Sequence, residues 1–384
     1  MLCFFCYFIL QTQNVSAQDI SLDDLSADAA ILIEANTGKI IYEKNSTQRI
    51  YPASTTKMMT TIIALENGDL NEIVTVSEGV NVEGSAMNIK EGEKLHFKDL
   101  LYGVMMASGN DATIAIAKHM AGSVEEFAKL MTNKAQEIGA KNTNFVNSSG
   151  LPDQNHYSTA YDLAQIARYG YKNQQFREIC KTIKHEIKWI EPEKTETLEN
   201  TNLLLEDYKG ANGIKTGYTQ AAGECLVASA EREGINLIAV VMHVDQDQRF
   251  AEAAKLLDYG FQKVKLHVAY DKNSLIKKVF VHNGKNYSVK VQPQDNILYP
   301  IVGEKELQYF SVEVKIPKAV EAPVKQGQEV GTVQVLYKGQ EIDQIAMVAS
   351  DDVDKGFDLI SMIITWYDAL FATMKSFGFS FGLK

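Results

Sequence analysis

Residues 51–60 read Tyr-Pro-Ala-Ser-Thr-Thr-Lys-Met-Met-Thr and contain the pattern Ser54-x-x-Lys57. Apolar residues follow at positions 58, 59, 62, 63 and 65, so we expect Ser54 to open a helix with Lys57 one turn along on the same face. A neutral, partly desolvated lysine in that position can take the proton of a serine hydroxyl. The helix N-terminus adds N–H groups where an oxyanion could form. An ordinary N-cap serine followed by a solvated lysine has the same pattern, so the interpretation depends on partners elsewhere in the chain.

The composition is that of a globular protein. The chain has 384 residues, of which 45% are hydrophobic and 23% charged, which is enough for two or three domains. Its net charge of −11 argues against a nucleic-acid partner and against attachment to anionic lipid by charge alone. The chain has no Cys-x-x-Cys pair with zinc-ligand spacing and its histidines are scattered, so we expect no metal and no organic cofactor.

Residues 1–17 have the character of an export signal. They contain no Asp, Glu, Lys or Arg, have an apolar core over 2–10, and end on the small-residue sequence Val-Ser-Ala. The basic n-region usual in such signals is missing, and the apolar core is too short to span a bilayer as an anchor. Beyond this segment Cys180 and Cys225 could pair, but the alternating apolar run around Cys225 favours a buried thiol.

Strand and helix patterns over residues 28–262 predict one α+β domain. Strand patterns come first, helical patterns fill the middle and strand patterns return, which predicts an antiparallel sheet built from both ends with a helical cluster packed on it. The predicted strands are 29–35, 39–43, 213–219, 224–230 and 235–242, the helices fall within 54–67, 97–107, 112–120, 124–138, 159–169 and 249–259, and 181–209 shows only weak strand signals.

Two further segments follow this domain. Residues 264–350 are nearly all strand pattern and predict a small β-sandwich. Within 354–378, polar residues at 358, 361, 365 and 368 form a narrow stripe on an otherwise apolar helix. Such a helix lies in a membrane interface or packs on the preceding domain.

Two more motifs supply partners for Ser54-x-x-Lys57. Ser108-Gly109-Asn110 interrupts two helical patterns, and Lys215-Thr216-Gly217 lies on a predicted strand where glycine permits close approach to the backbone. Each has an ordinary interpretation as a turn or a strand end. All three in this order, each in a suitable context, are much harder to explain as coincidence.

With these motifs the chain resembles the serine D-alanyl-D-alanine carboxypeptidases, the low-molecular-mass penicillin-binding proteins, which share them with class A β-lactamases. The resemblance covers 28–262, including the segment 150–164, and continues into the β domain and tail. It implies a β-lactamase/transpeptidase-like fold and peptidoglycan stem peptides as substrate. It also implies β-lactam antibiotics as acylating inhibitors, a C-terminal membrane-anchor helix, and a location in the periplasm or at the outer face of the cytoplasmic membrane.

The resemblance also implies roles for the nucleophile and its neighbours. Ser54 would attack the carbonyl of the penultimate D-alanine and form an acyl-enzyme, with Lys57 as its base. Ser108 would relay a proton to the leaving amine. Asn110 would hydrogen-bond Lys57 or the substrate amide. The histidine in this region, His156, is interpreted as structural or at the rim of the site, because lysine is the base in this family.

The remaining implied roles concern the strand motif. Lys215 and Thr216 would bind the terminal carboxylate, Gly217 would allow close approach, and the N–H groups of Ser54 and Tyr218 would form the oxyanion hole. Lys215 near Lys57 would lower the pKa of each lysine. Arg249 is either a second carboxylate contact or a surface arginine at a helix start.

Two other functions compete with the carboxypeptidase. A β-lactamase needs a group that drives deacylation by water, and Asp153 and Asp162 do not match the class A pattern. A weakly catalytic cell-wall or morphology protein would keep the fold only, against which the complete set of motif residues counts.

Overall fold

The structure, a computed structural model, describes residues 20–356 and the pairs 366–367, 369–370 and 373–374. It divides the chain into two compact units, Met1–Lys263 and Val264–Lys384. The predicted export signal over 1–17 lies outside the described residues, and so does most of the predicted helix over 354–378. Among the described residues, no helix is long and apolar enough to cross a membrane.

The first unit mixes strands and helices. Its elements in chain order are β1 (Ala29–Glu34), β2 (Ile40–Lys44), a 3₁₀ turn (Ala53–Thr56), α1 (Lys57–Asn67), β3 (Ile73–Thr75), β4 (Lys94–His96), α2 (Phe97–Met105), α3 (Asn110–Ala121), α4 (Val124–Glu137), α5 (Ala160–Gly170), α6 (Gln174–Lys181), β5 (Lys184–Glu191), β6 (Lys194–Glu199), α7 (Leu204–Asp207), β7 (Ala211–Thr219), β8 (Gly223–Arg232), β9 (Ile235–Val244) and α8 (Arg249–Lys263).

The main sheet joins both ends of this unit, as predicted. Its five strands lie in the order β2-β1-β9-β8-β7, and each neighbouring pair is antiparallel. Every residue of β1 is buried because α5 and α8 pack on the central strands. Strands β8 and β9 form a hairpin whose two turn residues, Glu233 and Gly234, have the positive φ that a tight hairpin turn requires. Strand β7, which carries the Lys-Thr-Gly motif, is left at the edge.

The nucleophile segment differs slightly from expectation. Ser54 lies in the 3₁₀ turn Ala53–Thr56, and the α-helix begins only at Lys57. The first two turns of α1 are buried on all sides, from Lys57 to Ala64. A helix that is buried all round sits inside its domain, so the reactive end of α1 is held rigidly by neighbouring elements.

Sequence periodicity missed several elements of the first unit. Helix α6 was not predicted, and neither was the small sheet β3-β4-β5-β6 as a unit. Strands β3 and β4 have three residues each, too few to show a period, and β5 and β6 are polar with mixed burial. Cys180 and Cys225 are both free and buried, so the interpretation of Cys225 as a core thiol is confirmed and the two do not pair.

The second unit is β-rich, as predicted. Its elements are β10 (Lys265–Tyr270), β11 (Lys277–His282), β12 (Ser288–Pro293), β13 (Ile297–Ile301), a 3₁₀ turn (Glu304–Tyr309), β14 (Phe310–Lys315), β15 (Ala319–Glu321), β16 (Glu329–Tyr337) and β17 (Gln340–Ala349). A six-stranded sheet, β14-β16-β17-β12-β11-β15, and the pair β10-β13 share one apolar core rich in valine.

Candidate active site

Ser54 is positioned by two glycines that approach its backbone. The preceding residue, Ala53, has a positive φ of 48°, and Gly150 lies so close that a Cβ there would fall 1.8 Å from the Ala53 carbonyl oxygen. From the sheet side, a Cβ at Gly217 would lie 3.1 Å from the Ser54 nitrogen. At Gly150 only a residue without a Cβ fits, and at Gly217 a Cβ would press on the nucleophile turn.

Lys57 is completely buried beneath Ser54. Its Nζ lies 2.8 Å from Ser54 Oγ, 2.7 Å from Asn110 Oδ1 and 2.8 Å from the carbonyl oxygen of Ser149. Burial lowers the pKa of Lys57 well below its usual value, and the charge of Lys215 lowers it further, while Asp111 acts in the opposite direction. A neutral Lys57 would donate its two N–H bonds to Asn110 and Ser149 and keep its lone pair for the Ser54 proton.

Asn110 is oriented by the loop that faces it. Its Nδ2 donates to the carbonyl oxygen of Glu83 at 2.7 Å, which turns Oδ1 toward Lys57. Its backbone N–H donates to the Ser85 carbonyl oxygen at 2.7 Å. The buried Asp111 carboxylate accepts the N–H groups of Met87 and Ile89 and so fastens this loop to the start of α3.

Ser108 lies in the short connection between α2 and α3. It is buried and has a positive φ of 57°, a conformation uncommon outside glycine. It stands two residues before Asn110, and Gly109 between them donates its N–H to the Gly103 carbonyl oxygen. The Ser-Gly-Asn motif is therefore a buried turn inside the domain.

Lys215 points inward from the edge strand β7. Its side chain is buried, and its Nζ donates to the carbonyl oxygen of Thr216 at 3.1 Å. Burial lowers the pKa of Lys215 to about 7, and the charge of Arg249 contributes in the same direction. The Thr216 hydroxyl shares a 2.8 Å hydrogen bond with that of Thr201.

The expected mutual lowering of the pKa values of Lys57 and Lys215 is confirmed for one lysine only. The charge of Lys215 lowers the pKa of Lys57, but Lys57 is not among the causes that lower the pKa of Lys215. Burial is the largest cause for both lysines, and the charged neighbour that lowers the pKa of Lys215 is Arg249. Burial could not be read from the motif, because distant segments of the chain cover both side chains.

Arg249 is the first residue of α8 and lies beside β7. Its Nη1 is 3.4 Å from the Gly217 carbonyl oxygen, its Nε is 3.8 Å from Glu224 Oε2, and its side chain is only 21% exposed. Of the two alternatives, a plain surface arginine fits this placement poorly. Tyr218, the next residue along β7, is 63% exposed.

An open cleft of about 660 Å³ runs over Ser54. Ser54, Asn110 and Tyr218 line it together with three segments to which the sequence analysis assigned no role: 83–85, 149–152 and 219–221. Apart from Thr219, which ends β7, these are loop residues without periodicity. The sequence carries a signal for one of the three segments only: the stretch from Gly150 onward resembles the D-alanyl-D-alanine carboxypeptidases.

His156 supports the nucleophile turn from below. It is buried, its Nδ1 accepts the Val146 N–H at 3.2 Å, and its Nε2 lies 2.8 Å from Thr56 Oγ1. Since Nδ1 accepts, Nε2 carries the proton and donates to Thr56. Burial lowers the pKa of His156 to about 4, so the ring is neutral at physiological pH. This agrees with a structural role.

Comparison with known proteins places this site in a family. The family model described as D-alanyl-D-alanine carboxypeptidase matches residues 12–246, and the model for the C-terminal domain of penicillin-binding protein 5 matches 261–355. The chain belongs to the D-alanyl-D-alanine carboxypeptidase family. The carboxypeptidase DacF of Bacillus subtilis is 35% identical over 336 residues, covering 86% of each chain. DacA of Haemophilus influenzae is 33% identical and covers 90% of this chain and 91% of its own.

Solved structures agree with the fold. Penicillin-binding protein 5 from Haemophilus influenzae superposes with a TM-score of 0.61 at 31% identity, over 88% of this chain and all of its own. A peptidoglycan synthesis regulatory factor, PBP3 from Streptococcus pneumoniae, gives a TM-score of 0.66 at 29% identity, over 85% of this chain and 99% of its own. The β-lactamase/transpeptidase-like fold with a β-rich C-terminal domain is thereby confirmed.

Proposed function

We propose that this enzyme removes the terminal D-alanine from peptidoglycan stem pentapeptides through an acyl-enzyme on Ser54, and that β-lactams acylate the same serine. The observation that carries the proposal is the environment of Lys57. Two fixed oxygen atoms, on Asn110 and Ser149, occupy its N–H bonds and the third contact is Ser54 Oγ at 2.8 Å. That arrangement suits a neutral lysine acting as the base for Ser54.

Acylation follows from this geometry. Ser54 Oγ attacks the carbonyl carbon of the penultimate D-alanine and its proton passes to Lys57. The developing oxyanion is bound by the N–H groups of Ser54 and Tyr218, where the loss of one donor typically costs about 10²-fold to 10³-fold in rate. The proton then reaches the leaving D-alanine amine, for which we assign Ser108 as relay. Water completes the cycle by hydrolysing the ester.

The strand motif binds the end of the peptide. Strand β7 lies at the edge of the sheet, so an extended peptide can add to it as a further strand. Lys215 and Thr216 lie on that strand and Arg249 of α8 lies beside it, and together they supply the cationic and hydroxyl groups for a carboxylate. A binding site built in this way selects peptides with a free C-terminus.

The competing β-lactamase function is disfavoured by the two aspartates weighed for it. Asp162 accepts hydrogen bonds from Asn142 N at 2.6 Å and Thr143 Oγ1 at 2.8 Å and so holds the loop before α5. Asp153 accepts the Asn155 N–H within its own turn. Both carboxylates therefore fix backbone and hydroxyl groups of nearby loops, a structural role that accounts for them without water activation at Ser54.

The decisive experiment measures release of D-alanine from diacetyl-Lys-D-Ala-D-Ala. We expect the wild-type enzyme to release it, Ser54→Ala to abolish release, and a fluorescent penicillin to label wild type but not the variant. Failure of wild type to release D-alanine would refute the enzyme and favour the weakly catalytic cell-wall protein. Hydrolysis of the bound penicillin within seconds would favour the β-lactamase.

We further propose that the protein is exported and attached to the outer face of the cytoplasmic membrane. Support comes from the sequence: the signal-like segment 1–17 and the amphipathic pattern over 354–378. Since the polar stripe of that pattern is acidic, attachment would rest on apolar burial. Deleting 354–384 should release an active enzyme into the supernatant. A truncated protein that still sedimented with membranes would contradict this assignment.

A further inference from the structure

Glu224 is a buried carboxylate beside the strand motif that the mechanism does not use. It lies on β8 directly opposite Tyr218 of β7 and is 9% exposed. Its Oε2 is buried without a hydrogen-bond partner among the described residues, and the same holds for Arg249 Nε. These two atoms face each other at 3.8 Å, which is ion-pair range but too long for a hydrogen bond.

The guanidinium of Arg249 stays in its observed position only if a nearby negative charge stabilises it. Its guanidinium lies close enough to Lys215 to lower the pKa of that amine, so the two cations repel each other when both are protonated. A partly buried arginine under such repulsion would turn toward solvent unless an anion held it. Glu224 is the carboxylate at contact distance.

The same geometry leaves Arg249 able to accept a ligand. Its contacts with Glu224 and with the Gly217 carbonyl oxygen are both long, at 3.8 and 3.4 Å. Its N–H donors are therefore not committed to short hydrogen bonds, although a guanidinium forms strong bidentate ones with carboxylates. Holding a donor group in place before the ligand arrives reduces the ordering cost of binding.

We propose that Glu224 is a positioning residue that holds Arg249 beside Gly217 for the C-terminal carboxylate of the substrate. This rests on the proposed function in one respect, that the ligand is a peptide ending in D-alanine. An opposite effect is also physically conceivable, in which the negative charge of Glu224 weakens binding of an anionic ligand. The substitution Glu224→Gln separates the two, because it keeps the size of the side chain and removes the charge.

The test measures the Kd of diacetyl-Lys-D-Ala-D-Ala for the full-length Ser54→Ala protein by NMR titration, so that no turnover is needed. Adding Glu224→Gln should raise Kd about threefold to tenfold, which lies within the range of coupling found between residues in contact. Adding it to an Arg249→Gln background should change Kd by less than about twofold, because the residue that Glu224 positions is gone. Glu231→Gln, an exposed glutamate on the same strand, is the matched control and should leave Kd unchanged.

An unchanged or lower Kd in Glu224→Gln would overturn the proposal. An equal rise in Kd with Arg249 present and with Arg249→Gln would also overturn it, because it would mark a general structural effect. With Ser54 intact, Glu224→Gln should raise KM and leave kcat within about twofold, the pattern of lost ground-state binding. Absence of D-alanine release by the wild-type enzyme would count against the proposed function alone, since the Kd comparison stands without catalysis.

Discussion

Replacing Gly150 by alanine should disable the nucleophile although Gly150 supplies no side chain to the chemistry. A Cβ at this position would lie 1.8 Å from the Ala53 carbonyl oxygen, 2.3 Å from the Ala53 carbonyl carbon and 3.0 Å from the Ser54 nitrogen. Non-bonded heavy atoms rest about 3.5 Å apart or more, so the turn that carries Ser54 has to move by more than about 1 Å.

The size of the effect follows from that displacement. A shift of about 1 Å in a reacting group can cost about 10²-fold in rate. Gly150 also has a φ of +92°, which costs a residue with a Cβ about 1–2 kcal/mol. Since the clash involves backbone atoms, it cannot be relieved by turning a flexible side chain.

Gly139 provides a matched control. It has the same φ of +92°, but nothing lies within 4 Å of its would-be Cβ. Gly139→Ala therefore includes the conformational cost and omits the collision. We expect it to lower the free energy of unfolding by about 1–2 kcal/mol and to leave the reaction rate within about twofold.

The assay is the second-order rate of labelling by a fluorescent penicillin, with thermal unfolding of each variant measured alongside. Gly150→Ala should label at least about 100-fold more slowly than wild type while remaining folded at the assay temperature. Equal labelling rates for Gly150→Ala and Gly139→Ala would refute the reasoning, because the collision would then have no consequence at Ser54.

Three further predictions concern the polar groups around the nucleophile. The pKa of Lys215 is about 7 in the folded protein and near 10.5 when exposed, so between those values the unfolded state binds more protons and stability rises with pH. From pH 7 to 9 the free energy of unfolding of wild type, measured in urea, should rise by about 2 kcal/mol relative to that of Lys215→Met. The absence of such a rise would contradict the buried placement of Lys215. The pKa of His156 is lowered to about 4, so its contribution to stability is complete above pH 6.5 and is lost as the pH falls toward 4. Acid should therefore lower the free energy of unfolding of wild type by up to about 3 kcal/mol more than that of His156→Gln. Parallel acid profiles of the two proteins would argue against a neutral buried ring. Asn110→Ala removes a hydrogen-bond acceptor 2.7 Å from Lys57 Nζ and should slow penicillin labelling about 100-fold. A labelling rate reduced by less than about tenfold would show that the Ser149 carbonyl oxygen alone keeps the lysine in place.

Much of the fold could be predicted from local patterns. The alternation in β8 and β9 and the turn between them lie within one short stretch, so the hairpin is visible without any tertiary information. The same holds for β7, whose motif residues were expected on a strand. Helix α6 and the small sheet β3-β4-β5-β6 escaped because short or polar elements depend on burial by other segments rather than on their own period.

The site was predictable in its side chains but not in its backbone contacts. Ser54, Lys57 and Asn110 belong to recognisable motifs, and the structure brings them together. The roles of the Ser149 and Glu83 carbonyl oxygens could not be predicted. Every residue carries a backbone carbonyl group, and the residue type does not show where that group points. The closeness of Glu224 and Arg249 was hidden for a related reason, since it depends on how α8 meets the sheet.

The order of amino acids specifies which reactive groups the chain possesses and, through covalent spacing, that Ser54 and Lys57 are neighbours. Tertiary structure alone decided the chemical state of Lys57. Its acceptors come from residues 53 and 92 positions further along the chain, and the same packing removes the amine from water. An ammonium loses most of its hydration in such a place and gives up its proton readily, so the long-range fold turns an ordinary lysine into a base.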